Sequence, residues 1–174
     1  MAETPQQYVE RIRKTLGDRK PMEVLSSTPA RLAELVKARS ASELNRKPAP
    51  DKWSVAEILA HLADVEMVVG YRIRTMLSSS GAPIQGFDQD AWARDGRYAS
   101  VPVADSLQRQ AAQRKANLAL WRSLTAEQWQ HHGMHSERGK ETIERTSQLI
   151  AGHDINHLQQ IEKILNRVSE SSRH

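Results

Sequence analysis

Residues 53–66 read WSVAEILAHLADVE, and they hold the clearest helix start in the chain. Ser54 and Glu57 have the three-residue spacing of a capping box, in which each side chain satisfies the other's orphan backbone N–H. Trp53 before the cap and Ile58 after it have the spacing of a hydrophobic staple. Beyond the cap, Ile58, Leu62, Val65, Val69 and Met76 recur at helical spacing and form one apolar stripe, so the helix is expected to continue to about Leu77. His61 lies at the border of that stripe, roughly 40–60° from Ile58 and Val65 at about 100° per residue.

The rest of the chain repeats the helical pattern. A first helix is expected over 5–16, ended by Gly17 and Pro21. Thr28-Pro29 reads as cap and first helical position of a second helix, which runs to about Arg39 with Leu32, Leu35 and Val36 inward. The polar segment SASELNRKPAPDK connects it to the helix at 53. Residues 78–102 read as a long loop, and long loops in compact domains are commonly functional. A third long helix is expected over Val103–Leu124, with Leu107, Ala111, Leu118 and Trp121 as its apolar positions, followed by a short turn at Thr125–Trp129. HHGMHSERGK reads as an exposed polar loop, and its His131, His132 and His135 as unligated. The last helix is expected from about Glu141 to Val168, ahead of a frayed tail. No period-2 strand or hairpin signal is evident. The expected architecture is all-α: one domain over 1–174, a four-helix bundle with core 28–168 and short extra helical turns.

Composition narrows the chemistry. The chain has no cysteine, which excludes disulfides, thiolate metal sites and a cysteine nucleophile. Any metal must take nitrogen and oxygen ligands. No apolar run approaches a signal sequence or a membrane span, so the expected location is cytoplasmic, with no membrane partner. The net charge of +4 (25 basic minus 21 acidic residues) is scattered rather than clustered with aromatics, which argues against a nucleic-acid partner.

The last helix carries a second chemical signal, AGHDINHLQQIEKIL (151–165). His153 and His157 are four apart and share a face with Ile143, Ile150, Ile161, Ile164 and Val168, all within about 40° of His157. Both imidazoles thus point into the bundle, where His61 can join them. Buried neutral imidazoles are poor partners for one another. A divalent cation taking one nitrogen from each ring resolves this and leaves a coordination position open, as in catalytic sites. HDINH differs from the zinc-protease H-E-x-x-H by a shortened acid at Asp154 and lacks a downstream third ligand, so a protease is disfavoured.

TPARLAELV, KWSVAEILAHLADVE, QDAWARDGRYASVP and GHDINHLQQIEKIL together resemble the DinB-like superfamily, which includes the YfiT-type metal-dependent hydrolases. The resemblance spans about Thr28 to Leu165. Its anchors are W-S-x-x-E-x-x-x-H-x-x-D-x-E and G-H-D-x-N-H-x-x-Q-I. It implies a bundle in mostly up-down-down-up order, commonly a homodimer. It also implies a divalent transition metal, most often zinc or nickel, on His61, His153 and His157. Relatives include thiol-dependent transferases and isomerases. Two classes of function therefore stand open. One is an enzyme that activates water or a low-molecular-weight thiol toward a small-molecule substrate, a hydrolase or an S-transferase, with Asp154 and Glu66 (and Asp64) as candidate catalytic or supporting carboxylates. The other is a non-catalytic, metal-stabilised, stress-related binding module.

Overall fold

A computed structural model describes residues 3–171. Their elements, in chain order, are α1 (Pro5–Leu16), α2 (Pro21–Val36), α3 (Ala41–Asn45), α4 (Val55–Ser78), β1 (Ala82–Ile84), α5 (Gln89–Asp95), a 3₁₀ turn (Tyr98–Ser100), α6 (Val103–Ser123), α7 (Ala126–Trp129), β2 (His132–His135), β3 (Gly139–Thr142) and α8 (Ile143–Ser171). The four long helices α2, α4, α6 and α8 form the bundle. Their principal packing pairs are α4 with α6, α2 with α8, α2 with α6, and α4 with α8. The order around the bundle is therefore α2, α6, α4, α8, and α2 and α4 sit diagonally rather than side by side.

The capping box at Ser54 forms as expected: Glu57 N–H donates to Ser54 Oγ at 3.2 Å, and Ser54 N–H donates to Glu57 Oε2 at 2.8 Å. Boxes of the same kind start α1 at Thr4, α3 at Ser40 and α7 at Thr125. The core divides into two apolar clusters. One gathers Leu25, Val65, Val69, Ile73, Met76, Leu118 and Trp121 with Ala151 and Ile155. The other gathers Leu32, Val36, Ile58, Leu59 and Leu62 with Leu158, Ile161 and Ile164. Along α4 and α8, His61, His153 and His157 fall where one cluster gives way to the other.

Several expectations need correction. The second helix begins at Pro21, not Thr28, and Pro29 lies inside it. Proline has no N–H for the Leu25 carbonyl four residues back, a loss that normally breaks a helix. Here Arg114 Nη1 donates to that carbonyl at 2.9 Å, and the helix continues through. The polar connection contains α3. The 78–102 segment is not one loop but β1, α5 and the 3₁₀ turn. HHGMHSERGK is not a loop either. β2 and β3 form a hairpin whose turn reaches Gly139 at φ +72°, and β1 adds in parallel to β2, giving a three-stranded sheet. The hairpin escapes notice because its strands are four residues each and carry little apolar alternation. On α6 the buried face is Ser106, Gln110, Arg114, Asn117, Leu118 and Trp121, whereas Leu107 and Ala111 are only partly buried. The last helix starts at Ile143 and extends to Ser171, past the expected end at Val168. The Val168 side chain and the final tail lie outside the described residues.

α1 packs along α8, and Gly152 permits it. A Cβ there would fall 2.8 Å from Ile12 Cγ2 and closer still to the Ile12 carbonyl oxygen. Overpacking of this kind costs about 1–3 kcal/mol. Gly152→Ala is accordingly expected to lower the denaturant midpoint by that amount with an unchanged m value, measured by chemical unfolding.

Candidate metal centre

His61 comes from the second turn of α4, and His153 and His157 from successive turns of α8. They are 1, 7 and 9 % exposed. Their Nε2 atoms converge: His153 Nε2 lies 3.2 Å from His61 Nε2 and 3.1 Å from His157 Nε2. The three rings are tilted or edge-on to one another, with centroids 4.4–5.2 Å apart. Trp53 packs its ring 5.0 Å from that of His61.

Each neutral imidazole carries one proton. Gln160 Oε1 lies 2.9 Å from His157 Nδ1, which places the His157 proton on Nδ1 and a lone pair on Nε2. Burial, with the nearby His157 charge, pushes His61 down to about 3. Burial likewise pushes His157 down to about 4 and His153 well below the usual imidazole range. All three rings are therefore neutral at pH 7 and present lone pairs, the form that binds metal. A tetrahedral cation with nitrogen ligands at about 2.05 Å sets neighbouring nitrogens about 3.3 Å apart. The two spacings from His153, 3.2 and 3.1 Å, are close to that edge, and all three ligand nitrogens lie within 4.8 Å of one another. The donor set fits a zinc-like divalent ion, and the support expected behind each ring is met at His157 by Gln160. Nδ1 of His61 and of His153 has no partner among the described residues.

The carboxylates singled out in the sequence lie elsewhere. Glu66 and Asp154 both bind Arg114, and all three side chains are 1 % exposed. Arg114 Nη2 donates to Glu66 Oε1 at 2.6 Å, and its two terminal nitrogens donate to Asp154 at 2.7 and 3.1 Å. Asn117 Nδ2 donates to Glu66 Oε2 at 3.1 Å and to the Glu66 carbonyl at 3.0 Å. Burial works against the Arg114 cation, but Asp154 and Glu66 outweigh it and hold its pKa raised. Asp64 accepts from Tyr98 Oη at 2.7 Å and pairs with Arg109.

His61 and His153 open onto a cleft of about 360 Å³. Phe87 and Gln89 border it from the segment after β1, together with Val65, Val69 and Arg72 of α4. His135, expected to be exposed, is 3 % exposed on β2 and lines the same cleft. Apolar alternation gives no signal for it, because in HGMH the apolar Met134 faces outward while Gly133 and His135 are buried. Nothing in the sequence alone pointed to Arg114.

The profile of the DinB superfamily matches residues 25–161, so the chain belongs to that superfamily. It is 28 % identical over 154 residues to YfiT of Bacillus subtilis, covering 86 % of this chain and 85 % of that protein. It is 25 % identical over 141 residues to a relative from Oceanobacillus iheyensis, covering 81 % of each. Both relatives bear the name "Putative metal-dependent hydrolase". The structure of YfiT, described as a probable metal-dependent hydrolase with an unusual four-helix bundle topology, superposes with a TM-score of 0.81, over 97 % of this chain and 91 % of YfiT, at 22 % identity. A mycothiol-dependent maleylpyruvate isomerase shares the fold at a TM-score of 0.61 and 8 % identity, over 78 % of this chain and 56 % of the isomerase.

Removing one member of a buried ion cluster strands its partners, at a cost of about 3–5 kcal/mol. Arg114→Met is expected to destabilise by that much in chemical unfolding. Adding Pro29→Ala restores an N–H to the Leu25 carbonyl and should recover about 1 kcal/mol in that background, but not in the wild type. Acid sensitivity follows from the histidines. The native rings refuse protons that the unfolded chain accepts below about pH 6.5, so stability rises with pH in that range and is lost as pH falls. Between pH 7 and 5 the metal-free protein should lose about 2 kcal/mol for each of the three rings. Urea titrations across that range, with His157→Gln as comparison, measure the slope.

Proposed function

We propose that this DinB-superfamily protein is a metal-dependent hydrolase that acts on a small molecule held in the cleft beside His61 and His153. The observation that carries the reading is the convergence of three neutral, buried imidazole nitrogens beside a cleft that His61 and His153 line. The designation shared by its relatives supports the same reading. His61, His153 and His157 would hold the cation, with zinc or nickel the ions expected for an all-imidazole donor set in this family. Bound there, it would supply Lewis-acid polarisation and lower the pKa of a water, or of a thiol, presented from the cleft.

The chain's own residues set up that chemistry. Gln160 fixes the His157 tautomer. Trp53 packs against one side of His61 and keeps solvent from it. Glu66 and Asp154 are committed to Arg114, so we assign them to positioning the helices that carry the ligands rather than to proton transfer. Substrate enters from the side where His61 and His153 meet the cleft, between α4 and the segment after β1.

Elemental analysis of protein purified without a nickel column is expected to find about one transition-metal ion per chain, lost in His153→Ala. Turnover is then measured on a panel of esters and amides, with and without low-molecular-weight thiols, alongside thermal melting. The proposal expects thiol-independent hydrolysis that disappears in a folded His153→Ala protein. Turnover that requires a thiol identifies a transferase instead. Metal-dependent stability without turnover on any member of the panel identifies a binding module.

A further inference from the structure

Two buried polar side chains in the cleft are short of partners among the described residues, one lacking an acceptor and the other a counter-ion. The first is His135. Its Nδ1 accepts the Glu137 backbone N–H at 3.1 Å. The neutral ring must then carry its proton on Nε2, and that nitrogen has no partner among the described residues. The second is Arg72 of α4, which is 7 % exposed. One terminal nitrogen donates to the Gln85 carbonyl, and among the described residues no carboxylate lies within 4.0 Å of its guanidinium. Glu137 and Glu141 line the same cleft and attract the guanidinium, but neither forms an ion pair with it. Arg138 donates to both oxygens of Glu141, at 2.8 and 3.2 Å. Burial and the Arg138 charge push the Arg72 pKa down, opposed only in part by Glu141 and Glu137.

The two residues are neighbours through the sheet. Gln85, which holds Arg72, follows Ile84, and Ile84 pairs with His135 across β1 and β2. A buried cation without a counter-ion and a buried N–H without an acceptor are each costly. One ligand group cures both, provided it is anionic and offers at least two acceptor oxygens.

We propose that Arg72 and His135 form an anion subsite in the cleft, which binds a carboxylate or phosphate group of the substrate. The apolar body of that substrate lies against Val65, Val69 and Phe87. This rests on the hydrolase reading only for what happens where the reacting group meets His61 and His153. The subsite uses none of the metal ligands. Burial, with the positive charges of Arg138 and Arg72, holds His135 down to about 4 against the opposing pull of Glu141 and Glu137. At pH 7 the ring is thus a neutral donor and not a second cation.

The test is calorimetric titration with benzoate, phenyl phosphate and the uncharged benzamide, on metal-loaded and on chelator-treated protein. The ¹⁵N resonances of the histidine rings are followed in parallel. One of the two anions is expected to bind saturably and to shift the His135 Nε2 resonance in both preparations, and the tighter of the two names the group. Benzamide should bind about tenfold or more weakly, and Arg72→Gln should weaken the anion by a similar factor, with Arg72→Lys retaining part of it. If Arg72→Gln fails to fold, the benzoate–benzamide contrast and the His135 resonance in the wild type decide alone. Anion binding that moves only the His61, His153 and His157 resonances, or that vanishes with the chelator, overturns the subsite. So does equal affinity for benzamide. Anion binding to a protein that never takes up metal would uphold the subsite and remove the hydrolase reading, whereas metal uptake without anion binding at His135 does the reverse.

Discussion

Arg114 reaches every helix of the bundle. From α6 it donates to the Leu25 carbonyl on α2, to Glu66 on α4 and to Asp154 on α8. A guanidinium suits this place because its donors are rigid and fan outward in a plane, so one side chain can serve several acceptors at once. Such a cluster is a weak source of net stability, since desolvating three charges offsets most of what their attraction returns. Its effect is on geometry. Helices that slid or rotated relative to one another would strand a buried charge, so the alternatives are expensive. Asp154 adjoins His153 in sequence, and Glu66 lies five residues beyond His61. The cluster therefore fixes the relative placement of α4 and α8 where placement matters most, beside the three converging nitrogens. It also explains how Pro29 can sit within α2.

The polar layer has a common electrostatic logic. Charges that are buried and paired, as in the Arg114 cluster, hold the scaffold. Among the buried groups without an ion partner, three imidazole lone pairs face one another, and a guanidinium and a ring N–H line the cleft. Low local dielectric makes each unpaired group costly. Strongly perturbed groups gathered in one cleft are where chemistry is usually found. The two apolar clusters on either side keep water from the layer except through the cleft.

The helices were legible because period and caps agree. Ser54 with Glu57, followed by Ile58, Leu62 and Val65, gives the same answer locally and in the packed bundle. The histidine triad was legible for a related reason, since helical spacing alone puts His153 and His157 on one buried face and His61 near the seam. Elsewhere the local signal and the tertiary outcome part. Thr28-Pro29 has the form of a helix start, but a side chain from a distant helix supplies the donor that proline lacks. The buried face of α6 is polar through Gln110, Arg114 and Asn117, so an apolar count finds Leu118 and Trp121 on it but misses the rest. The β2–β3 hairpin is too short for alternation to stand out, and with it went the burial of His135. Glu66 and Asp154 read as free acids because their partner, Arg114, lies 40 or more residues away in sequence.

The proposed hydrolysis requires three imidazoles on one cation. X-ray absorption at the edge of the metal carried by the purified protein tests this at the atoms concerned. Three-histidine ligation predicts metal–ligand distances near 2.0–2.1 Å dominated by nitrogen, with the more distant scattering of about three imidazole rings. A shell of oxygen alone, or imidazole scattering that persists unchanged when His61 is replaced, would contradict it.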